Sequence, residues 1–213
     1  MTDRIVVFGR QPEAGRVKTR VAGGIGSTAA AEVYGELLGH TIDVVQRSGL
    51  PWILSLAAPA EPGWRETLPV EVEVEVQVEG DLGRRMHACL QQWFADGADR
   101  VVIVGSDIPG LTPGHLRSAF ERLGDRAVVL GPASDGGYWL VGQRAPGVDC
   151  FSGVPWSSPE TLAATRRRLD DLAVEWGEID PLSDIDTIDD LRRIVDDPHI
   201  DPGLRHRLRA LLR

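Results

Sequence analysis

"VVIVGSDIPGL", residues 101–111, decides the architecture. Val101, Val102, Ile103 and Val104 form a β-branched run with no polar alternation. Such a run predicts a strand buried on both faces, the signature of a parallel sheet covered by helices on either side. Gly105, Ser106, Asp107, Ile108 and Pro109 then end it. Ligands of open parallel sheets bind outside the carboxyl ends of the strands, so Asp107 sits where a site is expected. Its carboxylate either closes the turn or holds a hard divalent cation.

Outward from this strand, apolar runs alternate with helical periodicity. Residues 5–9, 52–57, 127–130, 138–141 and 173–176 read as further strands. Helices are expected over 27–48 with Ser27 as cap, 82–95, 112–123 with Thr112 as cap ahead of Pro113, 188–195 and 203–212. Another, capped by Ser157 or Ser158, runs through Leu169. "VEVEVEVQV", residues 70–78, puts its valines on one face and Glu71, Glu73, Glu75 and Gln77 on the other, as a half-exposed strand near a sheet edge does. The expected fold is α/β, a Rossmann-like three-layer α/β/α sandwich around a mostly parallel sheet, in one domain spanning 1–213.

The bulk numbers exclude several classes of function. A net charge of −9 disfavours broad attraction to nucleic acid or anionic membrane, so an anionic ligand needs a local basic cluster or a metal. Cys89 and Cys150 form no CxxC pair and read as apolar fillers in a reducing compartment. No apolar run reaches spanning or signal length, and a soluble, cytoplasmic protein is expected. The five histidines lack metal-ligand spacing, and no nucleophile triad is visible.

Five motifs carry chemistry, four of them beside expected strands and one at a helix start. "FGRQPEAGRVKTR", residues 8–20, follows the first strand and brings Gly9, Arg10, Gly15, Arg16, Lys18 and Arg20 to the rim as a phosphate-binding loop, with Lys18 and Arg20 the first choices to point inward. "GSDIPGL" adds Ser106 and Asp107. "LSDIDTIDDL", residues 182–191, offers Asp186 or Thr187 as helix cap with Asp189 and Asp190 set against the helix dipole, while Asp184 and Asp186 precede the helix and can reach back to the rim. "GPASDGGYWLVG", residues 131–142, sets Asp135, Gly136, Gly137 and Tyr138 at a sharp turn, suited to acceptor contact or catalytic assistance; Trp139 is either there or in the core. "GDLGRRM", residues 80–86, offers Asp81 as helix cap or nucleotide contact and Arg85 facing a nucleotide.

Taken together and in order, these motifs resemble the GT-A-like nucleotide-diphospho-sugar transferase superfamily. Within it they look most like the radical-SAM/selenodomain-associated transferases, related to molybdenum-cofactor and phospholactate guanylyltransferases. The resemblance implies a nucleotide over the carboxyl rim, with Mg²⁺ or Mn²⁺ bridging its phosphates. Carried onto matching positions, it implies metal ligation by Asp107 and Asp186 and triphosphate binding by the basic loop, with Lys18 the best-placed cation. The first loop departs from the L-x-G-G pattern of sugar nucleotidyltransferases. The expected activity is nucleotidyl transfer from a nucleoside triphosphate to a small, phosphorylated acceptor, with Lys18, Asp107 and Asp135 catalytic. Glycosyl transfer from a nucleotide-diphospho-sugar and non-catalytic nucleotide sensing are the alternatives.

Overall fold

The computed structural model describes residues 1–68 and 70–212. One seven-stranded sheet runs through it in the order β3-β2-β1-β4-β6-β5-β7. The strands are β1 (Asp3–Gly9), β2 (Trp52–Leu56), β3 (Val74–Val76), β4 (Arg100–Gly105), β5 (Val128–Pro132), β6 (Tyr138–Arg144) and β7 (Trp176–Glu178). The helices are α1 (Thr19–Ile25), α2 (Ser27–Ser48), α3 (Leu82–Ala95), α4 (Pro113–Arg122), α5 (Thr161–Asp171), α6 (Ile188–Asp196) and α7 (Pro202–Ala210). The α/β sandwich expected from the sequence is the observed fold, and none of the described helices is long and apolar enough to cross a membrane.

The strands' period of two divides the core. Ile5, Val7, Leu54, Val102 and Val104 face α2 and α4. Val6, Ile53, Val101 and Ile103 face α3 and α5, with Val128, Leu130 and Val141. The double burial of residues 101–104 thus follows from helices on both sheet faces. A third cluster packs α1, α6 and α7 onto α2 through Val21, Val33, Leu37, Ile185, Leu191 and Leu204. Gly24 permits this close approach, because a Cβ there would lie 2.7 Å from the Ile188 side chain.

β6 is antiparallel to both neighbours, β4 and β5. Only residues 133–137 separate β5 from β6, too few for a crossover back to the other end of the sheet. β6 therefore starts at the rim where β1, β4 and β5 end, and the turn carrying Asp135 arrives there with it.

Several boundaries differ from the sequence expectation. The strand expected over 70–78 pairs only as Val74–Val76, against Leu54–Leu56 at the end of β2. It does lie at the sheet edge, where Val76 at the end of the pairing and Val78 beyond it are exposed. Ser27 is the first residue of α2 and makes no cap; Gly26, with φ 84°, holds that position. α5 begins at Thr161, since Ser158 spends its hydroxyl on the Glu160 N–H in a turn ahead of the helix. The last strand is Trp176–Glu178, beyond the expected 173–176, because Ala173 (φ 51°) is still closing the α5 turn. Trp139 belongs to the core.

Candidate nucleotide and metal site

Lys18 caps α1 in the left-handed region, φ 46° and ψ 44°, a conformation costing a non-glycine residue about 1–2 kcal/mol. The backbone turn drives its side chain inward, where it is 6% exposed. There the ammonium donates to Asp107 Oδ2 at 2.7 Å and lies 3.5 Å from Asp186 Oδ1. Arg20 stands further out, 3.8 Å from Asp186 and mostly exposed. Burial pulls the Lys18 pKa down, but Asp107, then Asp186 and Asp184, hold it above its ordinary value. A charged lysine thus bonds an acid 89 residues away in sequence and draws Asp186 to the same point.

The second acidic arm is positioned by Ile185. Its side chain is fully buried in the third cluster, while Asp184 and Asp186 on either side line the cleft. Of the two candidate caps Thr187 is the one used: with Asp190 it closes a reciprocal capping box at the start of α6, while Asp189 pairs with Arg192. Carboxylate oxygens of Asp107, Asp184 and Asp186 all lie within 4.8 Å of one another. Burial, then the charges of Asp186, Asp107 and Asp135, push the Asp184 carboxyl up to about 6, with Lys18 pulling the other way. An all-oxygen carboxylate set suits a hard dication such as Mg²⁺ or Mn²⁺, and no histidine or cysteine is among the described residues lining the cleft.

The cleft beside this cluster has a volume of about 870 Å³. Gly9, Arg10, Arg16, Lys18, Arg20, Arg85, Ser106, Asp107, Asp135, Gly137 and Tyr138 all line it. Three expected site residues do not. Gly15, at φ 80°, serves the loop's turn behind the wall. Asp81 caps α3 by accepting the Arg84 N–H at 2.8 Å. Gly136 shapes the Asp135 turn at φ 88°, where a Cβ would lie 2.1 Å from the Pro159 carbonyl oxygen. Two others line the cleft without offering their hydroxyls. The Ser106 hydroxyl is 2.7 Å from that of Tyr34, which also accepts the Arg10 N–H at 2.9 Å. Tyr138 turns its ring into the α3–α5 cluster, and burial pushes its phenol far above the usual range.

Sequence reasoning passed over Tyr34 and Trp156. Tyr34 joins α2 to the ends of β1 and β4, yet an aromatic on the buried face of a long helix looks like packing. Trp156 lines the cleft from the loop before α5; an aromatic flanked by Pro155 and Ser157 was the available signal.

The crowding of three carboxylates has a measurable consequence. In the metal-free protein, Asp184→Asn should raise stability at pH 8 by about 1 kcal/mol, after allowing for screening of a half-buried group. The sign follows from the raised pKa. The folded state holds the Asp184 proton more tightly than the unfolded one, so wild-type stability from this group is present at low pH and lost as pH rises through about 6. Melting curves in chelator at pH 4 and pH 8 check this: a gain at pH 8 that vanishes at pH 4 is expected, alongside weaker Mn²⁺ binding.

Fold and site together define a GT-A-like α/β fold with an acidic cluster and a basic loop on the carboxyl rim of its sheet. The chain belongs to the family described as an uncharacterized protein conserved in bacteria (DUF2064), whose model matches residues 41–158. No curated protein matches it in sequence. Among solved structures, a protein from Desulfovibrio desulfuricans G20 provisionally named a nucleotide-diphospho-sugar transferase is 27% identical, with a TM-score of 0.88 over 100% of this chain and 97% of that one. A nucleotidyl transferase from Methanothermobacter thermautotrophicus shares the fold at 19% identity and a TM-score of 0.61, covering 98% of this chain and 99% of its own. The inositol-1-phosphate CTP transferase from T. maritima does so at 13% identity and a TM-score of 0.54, covering 99% and 96%.

Proposed function

We propose that the protein is a metal-dependent transferase that uses a nucleotide donor, with nucleotidyl transfer from a nucleoside triphosphate as its reaction. The observation that carries this reading is the convergence of Asp107, Asp184 and Asp186 beside Lys18 on the rim. The motifs also favour a place among the radical-SAM/selenodomain-associated transferases.

Asp107, Asp184 and Asp186 would hold Mg²⁺ or Mn²⁺, which supplies positive charge to the donor's phosphate oxygens. Arg10, Arg16 and Arg20 line the same side and neutralise the outer phosphates. Lys18 stays charged among the acids and stabilises negative charge that builds on the transferred phosphoryl group. An acceptor oxygen bonds to the α-phosphorus, the bond to the bridging oxygen breaks, and pyrophosphate leaves with that electron pair. Tyr34 and Ser106 fix the ends of β1 and β4 relative to each other, aligning the donor for that attack.

A second reading, glycosyl transfer from a nucleotide-diphospho-sugar, is favoured by likeness over the whole chain to the Desulfovibrio protein. The leaving group separates the two: pyrophosphate in the first, a nucleoside diphosphate in the second. Thermal-shift measurements with the four nucleoside triphosphates and their diphospho-sugars, each with and without Mg²⁺ or Mn²⁺, test the shared claim. A melting point raised only when nucleotide and metal are both present is expected. No shift with any pair overturns it, and binding without turnover points to a nucleotide sensor.

A further inference from the structure

The cleft has two chemically different ends. Its lining cations, Arg10, Arg16, Lys18, Arg20 and Arg85, all come from the loop after β1, the start of α1 and α3. Arg85 is turned toward the β3 side by its bond to the Gly80 carbonyl at 2.9 Å and its approach to Gln77 Oε1 at 3.4 Å. The wall built from the β5–β6 turn and residues 156–161 contributes no lysine or arginine among the described residues. Asp135, Trp156, Ser157 and Ser158 line it instead.

Trp156 is fixed in this wall. Gly83 of α3 packs against its indole so closely that a Cβ would lie 2.4 Å from Cζ2. Tyr138 meets it edge-on, with ring centroids 6.3 Å apart. The loop that carries it is tied down by the Thr161 hydroxyl, which donates to the Pro155 carbonyl at 2.7 Å. Asp135 accepts the Gly137 N–H through Oδ1 at 2.8 Å, leaving Oδ2 for another partner, and its charge is felt at Asp184.

We infer that this end binds an uncharged, hydroxylated ring compound of the sugar or cyclitol class. Its ring lies on Trp156, and Asp135 receives the proton of the attacking hydroxyl. The inference rests on the nucleotide-donor reading for its reaction and replaces the phosphorylated acceptor expected from the sequence. A phosphate on this wall would meet Asp135 with no lysine or arginine of the wall to pair it, the Lys18 ammonium being held by Asp107 and Asp186. A sugar ring offers apolar C–H faces to a large aromatic surface and hydroxyls to carboxylate and serine oxygens. In the step, the acceptor oxygen bonds to the α-phosphorus, its O–H proton passes to Asp135, and pyrophosphate departs with the electrons of the broken P–O bond.

Saturation-transfer NMR on the full chain tests this with two matched pools. One contains glucose, N-acetylglucosamine and myo-inositol; the other contains their monophosphates. Each pool is run alone and with Mg²⁺ plus each nucleoside triphosphate. The expected result is saturation of ring protons in the neutral pool. Affinity should fall about tenfold or more in Trp156→Ala and at most about threefold in Trp156→Phe. Asp135→Asn keeps the turn, since its amide oxygen still accepts the Gly137 N–H. It should bind the ring normally and turn over about 10²–10⁴-fold slower. Binding of the monophosphates alone, binding of neither pool, or a folded Trp156→Ala that binds like wild type overturns the inference. Loss of the nucleotide-dependent thermal shift with neutral-ring binding intact would instead strike the donor reading and leave the ring site standing.

Discussion

Asp107→Ala should lower turnover by about 10³-fold or more and abolish metal-dependent nucleotide binding. The residue sits at the end of β4 and is the one member of the acidic cluster supplied by the sheet; Asp184 and Asp186 come from a single loop. Without it, two neighbouring carboxylates remain, and under the proposed reading the metal would lose its ligand on the β4 side. The substitution also removes the closest partner of the Lys18 ammonium, leaving only the longer contact to Asp186. A modest loss of stability is therefore expected too, about 1–2 kcal/mol given that Asp107 is partly exposed. Asp107→Asn separates the effects. It keeps the shape and one acceptor oxygen for Lys18, so stability should largely return, while the missing negative charge keeps turnover low. Calorimetric Mn²⁺ titration with melting curves for both variants reads the two quantities separately. A folded Asp107→Asn with wild-type Mn²⁺ affinity would remove this residue from the site.

The part of this arrangement written in the sequence is the part with local causes. A β-branched run broken by Gly-Ser-Asp-Ile-Pro announces both a buried strand and its rim, so Asp107 could be placed before any coordinates. The basic loop was legible in the same way. Asp186 was assigned to the metal by resemblance, but Asp184 stayed open, because the direction of a loop carboxylate depends on which neighbour is buried. Only the packing of Ile185 against α2 and α6 settles that both flanking acids turn to the cleft. α1 went unseen because its seven residues include Gly23 and Gly24 and only Val21 is buried, too little periodicity to register. The start of α5 was misplaced because Ser-Ser-Pro imitates a capped helix when the serine is closing a turn. Tyr138 looked like an acceptor contact from its place after two glycines, whereas a tertiary pocket between α3 and α5 takes its ring.

Lys18→Met separates the two roles of the lysine. The variant keeps a long stem in the buried slot and the same backbone strain, but leaves three carboxylates facing one another without their ammonium. The metal-free protein should lose about 2 kcal/mol, discounted because Asp107 and Asp186 are partly solvated. The lost contribution has a defined pH window. Because the folded-state pKa of Lys18 lies above 10.5, its ion pairs stabilise fully below that value and fade only as pH rises through the folded pKa. The destabilisation by Lys18→Met should accordingly be present across neutral pH and disappear in strong alkali. Divalent metal should act in the opposite sense on the variant. With the competing ammonium gone, Mg²⁺ or Mn²⁺ meets a more negative site, so affinity should stay level or rise, and the metal should restore more stability than it adds to wild type. Turnover should nonetheless remain about 10²–10³-fold down, because a metal among the carboxylates would not replace the positive charge that, in the proposed reaction, Lys18 directs at the transferred phosphoryl group. Melting curves with and without Mg²⁺, set beside steady-state turnover, resolve these opposing effects. If metal restored both stability and turnover to the variant, Lys18 would be only a counter-ion for the empty cluster.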